Sequence, residues 1–411
     1  MTDLSYFSYE LNYMTGNSAN VTPLGNWGNS TTVLAAKANG VKVNLCVTFF
    51  GTSATFGSFF GNAGAQSTLI TNLISEVTTA GAQGVNIDFE GAGLSTTHAT
   101  AFATFLTSLT TQMHGAIPGS EVSVDIQGSA TGSLNYITQV AAAVDLLILM
   151  GYDYYWGSQF YPGPVAPTHQ FTPAVGDPNG HGNVSNDLNT MLRYVTPSKV
   201  LLAMPYYGRR WRASNGCVLP GIGIAASPSA QTYTQYRDNT SGYYNNTMRE
   251  ANSFTAYHCF NDVNNNFNQQ FMDDAYSMQK KYNLINQRGL AGGAAWKLGN
   301  DAGYPDLWEL VNNNLSTCAT VPCRDTLYDM GGPNGNYQNN QNYTFTIAPA
   351  GASALSLRFL AFDLEQGFDS LYVYDGTSTS ATLLGAFTGV TVPPTLAAAS
   401  GALTFRFRAD G

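Results

Sequence analysis

Short runs of β-branched and aromatic residues alternate along the chain with longer segments in which apolar residues recur at helical spacing. One of these segments places Leu69, Leu73 and Val77 on a single helical face. This alternation is typical of βα units built around a parallel sheet. A last helix is expected over residues 305–315. The seven predicted strands cover residues 4–10, 41–51, 84–90, 122–128, 146–155, 199–209 and 289–297.

Seven strands are one fewer than a (β/α)8 TIM barrel of the α/β class requires, and a doubly wound sheet accommodates the same number. If residues 4–10 form the second strand of a barrel, the first strand lies upstream of Met1. The expected fold is then a barrel that lacks its first strand in this sequence and has unpaired strand edges. We expect such a piece to be poorly soluble or weakly active.

The composition of the chain changes after residue 316. Residues 316–325 contain two cysteines and a proline, which indicates a linker. From residue 326 onward, short alternating strands are separated by Gly and Asn, and no helical pattern occurs. We therefore expect a barrel over residues 1–316, with an inserted segment at about 212–268, and an all-β sandwich over residues 323–411 that stops just after a strand.

Charge and hydropathy indicate where the protein works and which partners it can bind. Charged residues make up only 10% of the chain, against roughly 25% in an average soluble protein. A polar but weakly charged surface suits an extracellular protein that contacts neutral polymers. The net charge of −9 argues against a nucleic-acid partner, and no apolar run is long enough to predict a membrane span. We expect a secreted protein whose signal peptide lies upstream of Met1.

The cysteines and histidines do not suggest a metal site or a cofactor. The spacing of the five cysteines matches no zinc pattern, and the five histidines form no cluster. Cys46 lies in an apolar run and is interpreted as a buried thiol. A disulfide between Cys217 and Cys259 would close the inserted segment, and pairing of Cys318 with Cys323 is an open alternative.

Residues 84–90 carry the most informative pattern in the chain. Side chains alternate between the two faces of a strand, so one face here is apolar and consists of Val85, Ile87 and Phe89. The other face is polar and consists of Asn86, Asp88 and Glu90. Burying two carboxylates this close together is costly, and their mutual repulsion raises one pKa. The pattern therefore predicts a catalytic proton donor, Glu90, at the mouth of a barrel.

This stretch resembles the catalytic strand of glycoside hydrolase family 18, whose pattern is D-x-x-D-x-D-x-E. The corresponding positions here are Gln83, Asn86, Asp88 and Glu90, so the last two acids match and the first two are amides. Three further stretches are similar to the same family and follow in its order. They are MGYD at residues 150–153, PYYGR at 205–209, and AWKLG at 295–299 followed by Asp301.

The resemblance implies a chitinase that cleaves β-1,4-linked N-acetylglucosamine with retention, the acetamide of the substrate acting as nucleophile. Glu90 would be the general acid and then the base, Asp88 would orient the acetamide N–H, and Tyr152 would bind its oxygen. Trp296 would form the apolar floor of the subsite. The other residues implied to contact the substrate are Asn86, Met150, Asp153, Tyr207 and Arg209.

The amide at position 86 departs from the family pattern. Because Asn86 cannot be charged, we expect Asp88 to ionise more easily than it would beside a second aspartate. Activity should then extend further to the acid side, and Asn86→Asp should shift the acid limb of the pH–rate profile upward.

Four further aromatic residues are candidates for stacking on sugar rings, in addition to Trp296. They are Phe7, Phe50, Tyr155 and Trp156.

The end of the chain resembles the CUB module, a β-sandwich that mediates binding. The resemblance rests on the glycine turn at residues 328–337, the NYxNN run at 336–340 and the strand that ends in DSLYVYDG at 369–376. Asp369 is similar to one calcium-ligand position of the family, and Ala348 stands where a cysteine is expected. The module is expected to bind the polymer or a cell surface.

Two alternatives to a chitinase remain open from the residues alone. A peptidoglycan or glycan endo-β-N-acetylglucosaminidase would use the same catalytic residues with a different cleft. A non-catalytic chitin-binding protein is the other alternative, and the presence of Glu90 argues against it.

Overall fold

The structure is a computed structural model that describes residues 1–20, 24–128, 134–156, 161–171, 182–214, 216–219, 221–224, 228–238, 248–316, 326–329, 336–337, 339–349 and 351–411. The chain divides into two compact units, Met1–Leu149 and Met150–Gly411. Among the helices in these ranges, none combines the length and apolar character that crossing a bilayer demands.

The first unit alternates parallel strands with helices. Its strands are β1 (Asp3–Glu10), β2 (Lys42–Gly51), β3 (Gly84–Gly91), β4 (Glu121–Gln127) and β5 (Leu146–Met150). Its helices are α1 (Thr31–Ala38), α2 (Ser53–Phe60), α3 (Ala63–Ala80), α4 (Ala99–Ala116) and α5 (Leu134–Ala143). The strands lie side by side in chain order, and the register is parallel from β1 through β4. All of the strands predicted in this part of the sequence are present.

Helix packing fixes which face of β3 is covered. The Phe89 ring contacts Phe59 of α2 and both Phe102 and Phe105 of α4, with ring centroids 5.7–6.0 Å apart. Helix α3 buries the stripe that contains Leu69, as the sequence predicts. Because this apolar face is occupied by helices, the alternate side chains of β3 must point to the opposite face of the sheet.

The second unit begins with a pair of parallel strands and an antiparallel sheet. Its first strands are β6 (Val200–Pro205), β7 (Tyr207–Arg212), β8 (Ser229–Thr232), β9 (Met248–Arg249), β10 (Ala256–Asn261), β11 (Phe267–Met272) and β12 (Gly292–Trp296). Its helices are α6 (Val184–Met191), α7 (Tyr233–Arg237), α8 (Ala275–Arg288) and α9 (Asp306–Leu315). Strands β6 and β12 pair in parallel, whereas the antiparallel sheet has the order β8-β7-β11-β10-β9. A disulfide joins Cys217 to Cys259, as expected.

Two predicted strands have different limits in the structure. The strand predicted over 199–209 is divided into β6 and β7, which belong to different sheets. Pro205 ends β6, where its missing N–H cannot extend a ladder, and the N–H of Tyr206 donates to the carbonyl of Trp296. The strand predicted over 146–155 ends at Met150, and Asp153 has a left-handed φ of 57° that a strand does not accommodate.

The end of the chain is all β in its described residues, as predicted. Its strands are β13 (Asn342–Ile347), β14 (Leu355–Leu357), β15 (Ser370–Asp375), β16 (Thr382–Phe387), β17 (Leu396–Ala398) and β18 (Leu403–Arg408). They form antiparallel sheets of order β13-β18-β15-β16 and β14-β17 around a core that includes Phe345, Val373 and Phe405. Cys318 and Cys323 lie outside the described residues.

Candidate active site

The polar face of β3 carries the predicted catalytic residues. Asn86 is 3% exposed and Asp88 is 7% exposed, whereas Glu90 is partly exposed at the end of the strand. The alternation expected from the sequence is therefore present, with the two inner polar residues buried and the last one accessible. A buried polar side chain needs partners, and the neighbouring strand supplies them.

Strand β4 contributes a second polar row that the sequence pattern of β3 did not reveal. The side chain of Asn86 donates from Nδ2 to Ser123 Oγ at 3.2 Å and to Asp125 Oδ1 at 3.1 Å. Gln127 Nε2 donates to Glu90 Oε2 at 2.6 Å, which holds the carboxylate of the predicted acid in place. The sequence contains a signal for this polar row, because the alternate residues of β4 are apolar and leave the polar residues to share the other face. These apolar residues are Val122, Val124 and Ile126, and all three are fully buried.

The acids of these two strands perturb one another. The pKa of Asp88 is raised, first by burial, then by the charges of Asp125 and Glu90, and by a hydrogen bond with Glu90. Burial also raises the pKa of Asp125, against the hydrogen bond from Asn86, which lowers it. A buried carboxyl group beside other acids is more stable neutral than charged. Burial and the neighbouring acids therefore favour the neutral form of Asp88.

This arrangement adds an acid to the expectation that was based on the amide at position 86. We expect Asp88 to ionise more easily beside Asn86 than beside a second aspartate, and this comparison stays a prediction. The acid that is absent from position 86 is instead present on the adjacent strand, since Asp125 receives the hydrogen bond of Asn86 and raises the pKa of Asp88. The sequence pattern of β3 alone could not reveal this, because the carboxylate lies 39 positions further along the chain.

The remaining predicted site residues belong to the second unit, where four of them form one group. The rings of Tyr152 and Tyr207 meet edge to face with centroids 6.1 Å apart. Arg209 Nη2 forms an ion pair with Asp153 Oδ1 at 2.9 Å, and its guanidinium lies 5.9 Å from the Tyr207 ring centroid. The left-handed backbone at Asp153 turns the chain after β5, and the ion pair fixes this turn.

Met150 and Trp296 differ in their accessibility. Met150 is buried at the end of β5, whereas Trp296 at the end of β12 is 37% exposed. The roles assigned to these residues remain predictions.

The other aromatic candidates separate into exposed and buried residues. Phe7, Phe50 and Trp156 are all exposed by 46% or more, and Phe50 is the register partner of Glu90 on the neighbouring strand. Tyr155 is only 1% exposed because it packs edge to face on Phe171. Tyr155 therefore cannot stack on a sugar, and the expectation for that residue was wrong.

A separate group of acids lies at the end of the chain. Glu365, Asp369 and Asp410 each place a carboxylate oxygen within 4.8 Å of the others. Asp369 accepts hydrogen bonds from the Tyr337 hydroxyl at 2.5 Å and from the Asp410 N–H at 3.1 Å. Oxygen ligands of this kind suit a hard cation such as Ca²⁺. Two further carboxylates, those of Glu365 and Asp410, thus lie beside Asp369, the residue that resembles a calcium ligand of the CUB family.

Comparison with known proteins gives a consistent assignment. Residues 5–301 match the model of the glycosyl hydrolases family 18, and residues 323–411 match the model of the CUB domain. Chitinase A1 of Niallia circulans is 29% identical over 236 residues, which are 52% of this chain and 32% of that protein. The cortical fragment-lytic enzyme of Bacillus anthracis is 23% identical over 264 residues, which are 62% of this chain and 55% of that protein. The chain thus spans a third to about half of the length of these relatives.

Solved structures establish the fold of the larger region. The crystal structure of the Ostrinia furnacalis Group IV chitinase superimposes with a TM-score of 0.64 at 18% identity, covering 76% of this chain and 91% of that one. The fold is therefore the (β/α) barrel-like fold of these enzymes, and the doubly wound alternative does not apply. Because the family model covers most of the chain, the protein belongs to the glycosyl hydrolases family 18.

Proposed function

We propose that the protein is a chitinase that hydrolyses β-1,4-linked N-acetylglucosamine by a retaining, substrate-assisted mechanism. The observation that supports this proposal most strongly is that a buried acid, Asp88, lies beside an accessible one, Glu90. The carboxylate of Glu90 accepts a hydrogen bond from Gln127. The two acids have different environments, which is the arrangement that divides proton transfer and charge stabilisation between neighbouring groups.

The proton donor in this mechanism is Glu90. Asp88 is neutral beside Glu90 because burial and the neighbouring acids raise its pKa, so the pair carries a proton next to the accessible carboxyl group. Asp88 passes this proton to Glu90 and becomes ionised, and Glu90 protonates the glycosidic oxygen, so that the leaving sugar departs as an alcohol. The same carboxylate then takes a proton from the water that opens the intermediate.

The nucleophile is the acetamide oxygen of the substrate. Attack by this oxygen on the anomeric carbon forms an oxazolinium ion, and attack by water from the opposite face restores the original configuration. An intramolecular nucleophile that is held in the attacking geometry can reach an effective molarity of roughly 10⁵–10⁸ M. Asp88, ionised once its proton has passed to Glu90, orients the acetamide N–H and stabilises the positive charge, and Tyr152 binds the acetamide oxygen.

The second-unit residues provide sugar contacts in this account. The exposed part of Trp296 suits the apolar face of a pyranose ring, as aromatic platforms do in carbohydrate sites. The Arg209–Asp153 ion pair holds the turn that carries Tyr152. Met150 and Tyr207 are assigned to the same subsite by the family resemblance, and Asn86 acts through Asp125.

Action on peptidoglycan is the alternative that a specific observation favours. One relative of this chain is named a cortical fragment-lytic enzyme, and the same catalytic acids would serve for both polymers. We propose chitin because the chitinase relative is the more similar of the two by identity. We also propose that the protein is secreted, and the support is its 10% content of charged residues.

The proposal is tested by hydrolysis of fluorogenic N-acetylglucosamine oligomers and of purified peptidoglycan side by side. The parent should cleave the oligomers faster than peptidoglycan, and Glu90→Gln should lower kcat by about 10² or more. Glu309→Gln, which alters an exposed glutamate on α9, is the matched control and should leave the rate unchanged. Faster cleavage of peptidoglycan would favour the alternative, and oligomer binding without turnover would indicate a non-catalytic binding protein.

A further inference from the structure

A buried thiol lies beside the catalytic acids and has no part in the proposed reaction. Cys46 on β2 is a free cysteine that is 3% exposed. The parallel register pairs Cys46 with Asn86 and Thr48 with Asp88, so the thiol faces the same side of the sheet as the acids. Its sulfur and one carboxylate oxygen from each of Asp88 and Asp125 all lie within 4.8 Å of one another.

One carboxylate oxygen of this group of residues makes no hydrogen bond. Asp88 is 7% exposed, and its Oδ1 makes no hydrogen bond to any described residue. A buried oxygen with an unused lone pair is costly unless a proton or a cation reaches it. Within the described ranges, no lysine, arginine or histidine forms an ion pair with Asp88, Glu90 or Asp125. The group therefore combines excess acidity with a soft sulfur ligand.

We propose that Cys46, Asp88 and Asp125 form a binding site for a thiophilic divalent cation such as Zn²⁺ or Cd²⁺, and that its occupation inhibits the enzyme. Zinc commonly takes three protein ligands and one water at roughly 2.0–2.3 Å, which places a sulfur and an oxygen ligand roughly 3.5 Å apart. Small rotations of three side chains bring atoms within 4.8 Å to that separation. Mg²⁺ and Ca²⁺ prefer oxygen ligands alone, so the thiolate selects against them.

The binding step is a ligand exchange. The cation forms one bond to sulfur and one to each carboxylate, and the protons of the Cys46 thiol and of neutral Asp88 pass to solvent. No electron is transferred. Once Asp88 is bound to the cation, it can no longer orient an acetamide group. Binding stands independently of the proposed function, whereas inhibition rests on it.

The experiment titrates Cd²⁺ into the protein with Cys318→Ser and Cys323→Ser substitutions, which leave Cys46 as the one remaining free cysteine because Cys217 and Cys259 are joined. Equilibrium dialysis gives the stoichiometry, and ultraviolet absorption detects the cadmium–thiolate bond. We expect one Cd²⁺ per chain with the thiolate band, and no displacement by excess Mg²⁺.

Two variants separate the ligands. Cys46→Ser should abolish the thiolate band and weaken binding by about 10-fold or more while it retains hydrolysis, so that cadmium no longer inhibits. Asp125→Asn should weaken binding to a similar extent but keep the band, and thermal melting confirms that both variants are folded. Absence of the band at saturating Cd²⁺, or unchanged affinity in Cys46→Ser, would overturn the site. Binding with the band in a protein that hydrolyses no oligomer would refute the proposed function and leave the cation site standing.

Discussion

At the scale of single residues, the site depends on where one carboxylate is placed. The family pattern has an acid at position 86, and this chain has an amide there that donates to Asp125 on the next strand. Asp125 thus supplies, from the next strand, an acid in place of the one that the family pattern has at position 86 and this chain lacks. The sequence predicts Asp88 and Glu90 from their spacing, but no spacing rule connects them with Asp125, because only strand pairing brings β3 and β4 together.

Exchanging the side chains at positions 86 and 125 tests whether Asp125 replaces an acid at position 86. Asn86→Asp alone adds a third acid beside Asp88, so the acid limb of the pH–rate profile should move to higher pH by about half a unit or more. The double variant Asn86→Asp with Asp125→Asn keeps the number of acids, and its acid limb should return to the parent position. Kinetics of oligomer hydrolysis from pH 3 to 8 measure both. A double variant that remains shifted would show that Asp125 does not stand in for an acid at position 86.

The raised pKa of Asp88 also predicts how stability depends on pH. The folded protein keeps this carboxyl group protonated above the ordinary aspartate pKa, so the free energy of unfolding falls as the pH rises from that value toward the raised one. Asp88→Asn removes this dependence and should stabilise the protein at pH 8, with little effect at pH 3. The expected gain grows as the pH rises above the ordinary aspartate pKa, until the raised pKa is reached. Thermal or urea melts measure the difference.

The control for this prediction is Asp363→Asn, which alters an exposed aspartate near the end of the chain. It should leave the pH dependence unchanged. An Asp88→Asn variant whose gain or loss of stability is the same at pH 3 and pH 8 would contradict the account.

At the scale of elements, helix α8 is fixed by a buried ion pair. Lys281 Nζ lies 2.6 Å from Asp273 Oδ1, and the two side chains are 0% and 1% exposed. Asp273 follows β11, so the pair connects the antiparallel sheet to the helix. A sequence alone does not reveal such a pair, because lysine on a helix is usually exposed and only the packing of α8 buries this one.

Removing one partner of this ion pair should lower the free energy of unfolding more than replacing both partners with apolar residues. Asp273→Asn leaves the lysine charge buried and should lower the free energy of unfolding by about 3–5 kcal/mol, whereas Asp273→Leu combined with Lys281→Met should recover most of that loss. Urea denaturation measures both. Lys42→Ala, which removes the exposed lysine of the longer Lys42–Glu121 pair, is the control and should cost less than about 1 kcal/mol. Equal losses in the single and double variants would contradict the role assigned to the pair.

At the scale of the whole molecule, the order of elements was predictable and their limits were less so. Alternating strands and helices up to residue 316 and short strands afterwards correctly indicated a barrel-like region followed by an all-β region, because each depends on periodicity along the chain. The division at Tyr206 was missed because this single residue separates β6 from β7, so the two strands are nearly continuous in sequence. The burial of Tyr155 was missed because it depends on Phe171, which is distant in sequence.

The most direct test of the central claim is the configuration of the first product. A β-linked N-acetylglucosamine oligomer is hydrolysed by the protein, and the new reducing end is followed by proton NMR before it mutarotates. Attack by the acetamide followed by water predicts that the β-anomer appears first and that Glu90→Gln suppresses it. Initial release of the α-anomer would mean that water attacks directly, and the substrate-assisted mechanism assigned to Glu90 and Asp88 would be wrong.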